Sequence, residues 1–210
     1  MAEQIRTLAL FDLDGTLTDR DTFRDLLRFS FGTFRLFAGL LVTLPWTFFY
    51  IVGLCSAKTA KERVFRRFFA GMEEEEFVKR TRKYSLERLP ALFRPGALDQ
   101  IRQHKEHGHD TFIVSASIRH WIEPWAASEG VGVIATEVEI RDGTVTGRFS
   151  TDNCRGEEKI TRILEAIQLS DYGRIYAYGD TPHDQPMLTL ATDPVYQPFR
   201  REANASIQYP

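Results

Sequence analysis

Four short runs of strand length alternate with helix-like segments along most of the chain. They are Thr7–Phe11, Thr111–Val114, Val131–Thr136 and Arg174–Asp180. Strands that alternate with helices are typical of right-handed crossovers and a mainly parallel sheet. The alternation therefore predicts an α/β fold in which helices cover the faces of a parallel sheet.

A long helical stretch interrupts this alternation after the first strand. Amphipathic patterns indicate helices at Lys58–Ala70 and Glu73–Leu89, and no strand pattern appears from Asp19 to Leu92. We therefore expect a catalytic core from residues 1–17 and 93–210, with residues 18–92 as an all-helical insert. Beyond the insert, the dipeptide Asp142-Gly143 lies within alternating residues and predicts a β-hairpin.

The insert contains an unusual uncharged segment, Leu36–Ala57, of 22 residues. Its length would suffice to span a bilayer. Pro45 lies in its middle, where proline breaks or kinks a helix, and the basic residues Arg35 and Lys58 flank both ends without indicating an orientation. The pattern favours a hairpin of two short buried or interfacial helices, with membrane insertion as the alternative.

Composition narrows the class of protein. The chain has 210 residues, a formal net charge of −2 and two cysteines. These values give no indication of nucleic-acid binding and argue against a disulfide scaffold, so we expect a cytoplasmic protein. Residues 19–92 hold 14 Lys and Arg against 9 Asp and Glu. A basic module beside an acidic one suits an anionic ligand, although a solvated helical surface would give the same count.

Polar side chains follow three of the predicted strands. Asp12 and Asp14 follow the first, Ser115 ends the second, and Asp180 ends the fourth with Asp184 four residues later. In an open parallel sheet, ligands bind outside the carboxyl ends of the strands. We therefore expect these side chains to converge on one edge of the sheet.

Four segments, "FDLDGTLTD", "IVSAS", "NCRGEEK" and "YGDTPHDQPML", occur in this order. Together they resemble the motifs of the haloacid dehalogenase-like hydrolases, and in particular their phosphoserine-phosphatase-like branch. The resemblance covers nearly the whole chain. It implies a Rossmann-like parallel-sheet core with an inserted all-helical cap domain, and a Mg²⁺-dependent phosphatase acting on a small phosphorylated substrate.

The chemistry of these residues agrees with that implication. A bridging divalent cation offsets the repulsion between a carboxylate nucleophile and an anionic phosphoryl group. Mg²⁺ prefers oxygen ligands, which Asp12, Asp180, Asp184 and the backbone carbonyl of Asp14 would supply. Asp12 would attack phosphorus and form an aspartyl-phosphate. Asp14 would protonate the leaving oxygen and then deprotonate the attacking water.

The phosphate group needs donors as well. Thr16 and Ser115 would hold the phosphate or its loop by hydrogen bonds, and Lys159 would supply a positive charge. Other lysines compete for that role, namely Lys58, Lys61 and Lys105. Cys154 resembles a structural position of the branch, and His183 lies within the last motif at the edge of the substrate site.

Substrate choice is expected in the cap. Asp21, Thr22, Phe23 and Arg24 follow the nucleophile loop and could face it, and Arg119 and His120 follow Ser115. Of these we take Asp21, Phe23, Arg24 and Arg119 as the candidates to line the pocket. In phosphoserine phosphatases, an acidic residue just after the first motif recognises the amino acid, and Asp21 could take that place. The C-terminal "VYQPFRREANASIQYP" predicts a last edge strand followed by a tail.

The apolar stretch Leu36–Leu54 departs from a pocket built for free serine. It is similar to the caps of a branch acting on phosphatidylglycerophosphate. Our leading interpretation is a phosphatase for a small or amphiphilic metabolite, and the alternative is a lipid phosphatase whose segment Leu36–Leu54 contacts the membrane surface. A non-catalytic binding protein is a third interpretation. No sequence feature determines the oligomeric state.

Overall fold

A five-stranded parallel sheet forms the centre of the computed structural model, which describes residues 6–200. Its strands are Arg6–Phe11 (β1), Asp110–Ile118 (β2), Gly132–Thr136 (β3), Tyr172–Gly179 (β6) and Asp193–Tyr196 (β7), and a separate hairpin consists of Val138–Arg141 (β4) and Thr144–Phe149 (β5). The strand order is β3-β2-β1-β6-β7, with every neighbouring pair parallel. The predicted α/β class is confirmed, and β7 is the edge strand expected near the C-terminus.

Helices surround the sheet and form the insert. The α-helices of the described residues are Thr22–Ile51 (α1), Ala57–Phe69 (α2), Glu74–Glu87 (α3), Ala97–Glu106 (α4), Glu123–Ser128 (α5), Glu157–Ala166 (α6) and Gln185–Leu188 (α7). Short 3₁₀ helices occur at Leu89–Leu92, Arg119–Trp121, Leu169–Asp171 and Pro182–Asp184. Helices α1, α2 and α3 follow β1 and precede β2, which places the helical cap where the sequence predicts it.

Strand β1 is buried on both faces, which explains its continuous apolar sequence. Leu8 and Leu10 pack into one core cluster, and Ala9 and Phe11 pack into the other. This arrangement is typical of a parallel sheet covered by helices on both sides. Strand β1 is also the middle strand of the sheet, so the residues that follow it lie at the centre of the sheet edge.

The two chain segments that connect the core to the cap lie side by side. Thr18 and Phe93 form an antiparallel bridge, and the Asp19 amide donates to the Leu92 carbonyl at 2.9 Å. The expected division into residues 18–92 and the rest of the chain stays a prediction, but the chain crosses between its two parts at this pair of segments.

The prediction of two short helices within Leu36–Ala57 is wrong. Helix α1 continues through Pro45 to Ile51, and its non-helical residue is Gly32, with φ of 77°. Pro45 has no amide hydrogen, so the Leu41 carbonyl loses its helical hydrogen bond. Leu41 is an exposed residue and is not part of the core. The hairpin is instead formed with α2, because Gly39 contacts Phe68 and Trp46 contacts Arg63 in antiparallel order.

The β4–β5 hairpin packs against the base of the cap. Its turn is the predicted Asp142-Gly143 pair, with both φ angles positive. The Gly71 amide donates to the Val145 carbonyl at 2.9 Å. A Cβ atom at Gly147 would lie 2.9 Å from the Arg66 Cα, so β5 approaches α2 more closely than any larger residue allows.

This close approach predicts different effects for two glycine substitutions. Both glycines have positive φ, but Gly143 has open space around its Cα. Gly143→Ala should lower the free energy of unfolding by about 1 kcal/mol through backbone strain alone. Gly147→Ala should lower it by at least about 2 kcal/mol more, because the hairpin must also move away from α2. Urea unfolding of both variants measures the difference, and equal losses would contradict close packing of the hairpin on the cap.

Candidate active site

The loop after β1 presents its first aspartate at the sheet edge. The Asp12 amide donates to the Tyr178 carbonyl at 2.9 Å, which continues the pairing of β1 with β6. The chain then turns at Gly15, whose φ is 91°, and the Thr18 amide closes the loop on the Leu13 carbonyl at 2.9 Å. A positive φ is readily adopted only by glycine, which explains the Asp-Gly sequence here. The side chain of Asp12 is thereby fixed at the floor of a cavity.

Lys159 joins two of the motif carboxylates. Its Nζ donates to Asp12 Oδ1 and to Asp184 Oδ1, each at 2.7 Å, and the lysine side chain is only 2% exposed. Burial alone would lower the pKa of Lys159, but the two carboxylates outweigh it and raise the pKa. The lysine therefore stays positively charged between them.

Of the two carboxylates bonded to Lys159, Asp12 is the one whose pKa is raised. Thr16 Oγ1 donates to Asp12 Oδ2 at 2.7 Å, so each of its oxygens accepts one hydrogen bond. Burial nevertheless raises the pKa of Asp12 to about 6, despite the nearby Lys159 charge. A buried carboxylate of this kind gains from any further cation placed beside it.

Asp14 is held by donors from the cap and from β2. The Thr22 amide donates to Asp14 Oδ1 at 2.6 Å, and Ser117 Oγ donates to Asp14 Oδ2 at 2.6 Å. Ser115 Oγ lies 3.4 Å from the same oxygen. The sequence placed Thr22 beside this loop without a role, and it missed Ser117, although Ser115 and Ser117 lie two residues apart and therefore share one face of a strand.

Asp184 closes the loop that follows β6. Its Oδ2 accepts from the Thr181 amide at 2.9 Å and from Thr181 Oγ1 at 2.8 Å. Burial would raise the pKa of Asp184, but Lys159 and the Thr181 donors outweigh it and lower the pKa. Both oxygens of Asp184 are engaged in positioning contacts, and its direct ligation of a metal stays a prediction.

Asp180 faces the nucleophile loop and already attracts a cation. The Arg200 guanidinium donates to both of its oxygens at 2.8 Å. A Cβ atom at Gly15 would lie 3.8 Å from Asp180 Oδ2, which is an ordinary van der Waals distance, so this carboxylate lies directly beside the loop after β1.

The donor set around Asp12 and Asp180 fits a hard cation that keeps several waters. Asp12 and Asp180 offer carboxylate oxygens, both oxygens of Asp180 accept from Arg200, and the backbone carbonyl of Asp14 as a further ligand stays a prediction. Residues 6–200 contain no group of three or more His, Cys, Asp or Glu side chains that could hold a metal ion. Carboxylate oxygens are ligands that Mg²⁺ prefers, and the metal role of Asp12, Asp14, Asp180 and Asp184 stays a prediction.

A cavity of about 580 Å³ opens over Asp12 and Asp14, between the core and the cap, and its lining residues do not include Asp180, Thr16 or Ser115. Its cap side is mainly apolar, with contributions from Phe23, Leu27, Leu40, Ala60 and Val64, and its core side is polar, with contributions from Asp12, Asp14, Asn153, Arg155, Lys159, Thr181, His183 and Asp184. Arg155 Nη1 donates to the Tyr50 hydroxyl at 3.2 Å and connects the two sides. The arrangement would hold a phosphate at the floor and an organic group against the cap.

Three of the four expected cap and substrate residues lie at this cavity. Asp21, Phe23 and Arg24 line it, and Asp21 also caps α1 by accepting from the Arg24 amide at 2.7 Å. Arg119 does not line it, because its guanidinium pairs with Glu123 and Glu137 on the core surface. The expectation that Arg119 follows Ser115 into the pocket is therefore corrected: β2 continues to Ile118 and carries Arg119 away from the site.

Lys61 of α2 is a further cation at the site. Its Nζ donates to the Ala116 carbonyl at 2.6 Å and lies 5.7 Å from the centre of the Phe23 ring. Burial lowers the pKa of Lys61, although Asp14 and Asp21 oppose the shift. The sequence left Lys61 as an alternative to Lys159 for the positive charge at the phosphate. The structure brings both lysines to the cavity, Lys61 from the cap and Lys159 from the core.

Cys154 lies behind the site. Its thiol is buried, and burial raises the pKa of Cys154 to about 11. A thiol that stays protonated and enclosed is a weak nucleophile, which agrees with a structural position.

The raised pKa of Asp12 predicts a specific pH dependence of stability. In metal-free buffer, the folded protein binds a proton at Asp12 with a pKa of about 6, whereas the ordinary value is 3.8. The contribution of Asp12 to the free energy of unfolding should therefore fall by about 2 kcal/mol as pH rises from 4 to 7. Asp12→Asn should lack this fall, and the control Asp142→Asn, at an exposed turn, should retain it. Urea unfolding in EDTA measures the curves, and parallel curves for wild type and Asp12→Asn would contradict the prediction.

Comparison with known proteins agrees with this geometry. The family model of the haloacid dehalogenase-like hydrolases matches residues 9–189. Protein CicA of Caulobacter vibrioides is 32% identical over 201 residues, which cover 92% of this chain and 86% of that protein. A histidinol-phosphatase of Neisseria meningitidis serogroup C is 24% identical over 91% of this chain and 90% of its own length.

Solved structures share the fold. A protein of unknown function from Bordetella pertussis Tohama I has a TM-score of 0.79 and 27% identity, over 92% of this chain and 90% of that one. A phosphoserine phosphatase, solved with an analogue of its phospho-aspartyl intermediate, has a TM-score of 0.59 and 19% identity, over 92% of this chain and 87% of that one. The chain belongs to the haloacid dehalogenase-like hydrolases, and it shares its fold with a solved phosphoserine phosphatase.

Proposed function

We propose that this protein is a Mg²⁺-dependent phosphatase that hydrolyses the phosphomonoester of a small or amphiphilic metabolite through an aspartyl-phosphate on Asp12. The observation that carries the proposal is the pair of restrained aspartates at the cavity floor. Asp12 is held by Lys159 and Thr16, and Asp14 is held by Thr22 and Ser117. Two carboxylates with separate supports can take separate roles.

Binding and attack would use the core side of the cavity. The phosphate would lie near Lys159, with Thr16 and Ser115 as candidate donors, and Lys159 would offset its negative charge. Mg²⁺ held by Asp12, Asp180 and the Asp14 carbonyl would neutralise phosphate charge. An Asp12 oxygen would form the new bond to phosphorus while the bond to the substrate oxygen breaks. That oxygen leaves as an alcohol because Asp14 gives it a proton.

Hydrolysis of the intermediate would use Asp14 again. Asp14 is now a carboxylate and can take a proton from a water molecule placed opposite the Asp12–phosphorus bond. The water oxygen bonds to phosphorus, the Asp12 oxygen leaves, and inorganic phosphate is released. The donors from Thr22 and Ser117 would keep Asp14 oriented through both steps, because they come from the cap and the core.

The cap side of the cavity supports an organic substrate with an apolar part. Phe23, Leu27 and Leu40 face a phosphate site that is otherwise polar. The histidinol-phosphatase and the phosphoserine phosphatase among the similar proteins support a small phosphorylated metabolite as the substrate class. A cytoplasmic location, at the membrane periphery or away from it, is part of the same proposal.

A lipid phosphate is the second candidate substrate. Helix α1 lines the cavity through Leu40, Thr47 and Tyr50, and the same helix exposes many large apolar side chains. A lipid phosphatase of the phosphatidylglycerophosphate type would use both features. A purely binding function is disfavoured because Asp12, Asp14 and Lys159 form a complete set for phosphoryl transfer.

Replacing the nucleophile should abolish turnover. Asp12→Asn is expected to lose at least about a thousandfold in kcat for p-nitrophenyl phosphate with Mg²⁺, because an amide cannot form the acyl-phosphate. The matched control is Asp19→Asn in the same loop, whose carboxylate pairs with Arg20 at the surface and should be dispensable. Equal rates for wild type and Asp12→Asn would overturn the enzymatic proposal.

Replacing the proton-transfer group should separate chemistry from binding. Asp14→Asn is expected to lose about 10²–10⁴ in kcat, the usual contribution of general acid–base catalysis. Inorganic phosphate should still inhibit it with a similar inhibition constant, because Lys159 rather than Asp14 would offset the charge of the phosphate. Loss of phosphate inhibition together with turnover would show that Asp14 binds the substrate rather than transferring the proton.

A further inference from the structure

Helix α1 presents a long apolar face to the outside of the molecule. Its residues Phe34, Phe37, Leu41, Leu44, Phe48 and Ile51 recur at intervals of three and four and are 51–86% exposed; we call them the exposed apolar face. At 1.5 Å per residue, the face is roughly 26 Å long. Proteins that stay free in water rarely leave a continuous apolar surface of this size uncovered.

Charge around this face has one sign. No acidic residue occurs from Leu26 to Lys61. Arg28 and Arg35 lie exposed on the N-terminal half of α1, and the exposed Arg63 of α2 lies with its guanidinium 4.2 Å from the centre of the Trp46 ring. A cationic rim beside an apolar face is complementary to an anionic surface with an apolar interior.

The packing of α1 excludes a simple membrane crossing. The helix is long and apolar enough to span a bilayer by length and composition. Its other side is already occupied, however, because Leu36, Gly39 and Thr43 are buried on the side that faces α2. A Cβ atom at Gly39 would lie 2.2 Å from the Phe68 Cζ, so the two helices are in close contact. Since α2 carries many exposed arginines, α1 cannot enter a bilayer alone and can only lie along its surface.

The composition of the face also distinguishes a lipid surface from a partner helix. A helix that pairs with another protein helix usually has charged residues beside its apolar stripe. Here the positions beside the stripe are apolar as well, including Val42, Val52 and Leu54, which are 48–73% exposed. From Leu36 to Ala57 no charged residue occurs on any side. Arg28, Arg35 and Arg63 of the cationic rim all lie outside this segment, so a bilayer can cover the segment while its headgroups contact the rim.

We propose that the exposed apolar face of α1 docks on an anionic lipid bilayer, with the neighbouring arginines at the headgroups. Docking would place the cavity next to the membrane, because Leu40, Thr47 and Tyr50 on the same helix line it. The supply of a phosphorylated amphiphile to Asp12 from that surface rests on the proposed phosphatase function. The binding itself does not depend on hydrolysis.

Vesicle flotation without substrate tests the docking. The full chain is mixed with vesicles of phosphatidylcholine alone or with added phosphatidylglycerol, and bound protein is measured after centrifugation. Wild type should float with the anionic vesicles, and the bound fraction should fall at high salt. Leu41→Glu in the middle of the face should weaken binding by at least about tenfold. The matched control is Leu164→Glu on α6, where an equally solvent-facing leucine, 54% exposed, lies in the core domain.

Two further readouts make each outcome decisive. Turnover of p-nitrophenyl phosphate should be the same for wild type, Leu41→Glu and Leu164→Glu, which shows that the variants fold and that docking is separate from chemistry. Absence of flotation for wild type, or equal flotation for both variants, would overturn the proposal. A wild-type dimer in light scattering that Leu41→Glu dissociates, without vesicle binding, would assign the face to a second copy of the chain instead.

Discussion

Lys159 lies within 2.7 Å of one oxygen of Asp12 and one oxygen of Asp184, and the rest of the site is arranged around this buried ammonium group. Removing one partner from such a buried arrangement leaves an uncompensated charge, which typically destabilises a protein by about 3–5 kcal/mol. The interaction joins the loops after β1 and β6 to the first turn of α6. Because these elements are far apart in sequence, the contact forms only when the parallel sheet is complete.

The two aspartates at the cavity floor are restrained by hydrogen bonds, and part of this restraint comes from the cap. Asp12 and Asp14 have fixed donors on both oxygens, so little reorganisation is needed when a phosphate binds. The cap contributes the Thr22 amide and Lys61 directly to this region. The position of the cap and the orientation of Asp14, the proposed proton-transfer group, are therefore coupled, and closure of the cap over a substrate would act on Asp14 through the same contacts.

The sequence predicts the fold because the pattern of apolar residues in each strand and helix is local. It predicts the convergence of the motif residues because the carboxyl ends of parallel strands lie at the same edge of a sheet. It could not predict the support of Asp14 by Thr22 and Ser117, since those contacts depend on how the cap folds back onto β2. The continuation of α1 through Pro45 was also missed, because the carbonyl that loses its donor there belongs to Leu41, an exposed residue. Arg119 was expected at the cavity only because it is near Ser115 in sequence, and two glutamates hold it elsewhere.

The central claim is that Asp12 forms the covalent intermediate, and trapping it is the most direct measurement. The enzyme is quenched with borohydride during steady-state turnover with Mg²⁺, which reduces an aspartyl-phosphate to homoserine, and the peptides are analysed by mass spectrometry. The account predicts homoserine at position 12 and at no other aspartate, with none formed when substrate is omitted. Homoserine at another position, or an unmodified Asp12 in an enzyme that is turning over and in which other acyl-phosphates are trapped efficiently, would contradict it.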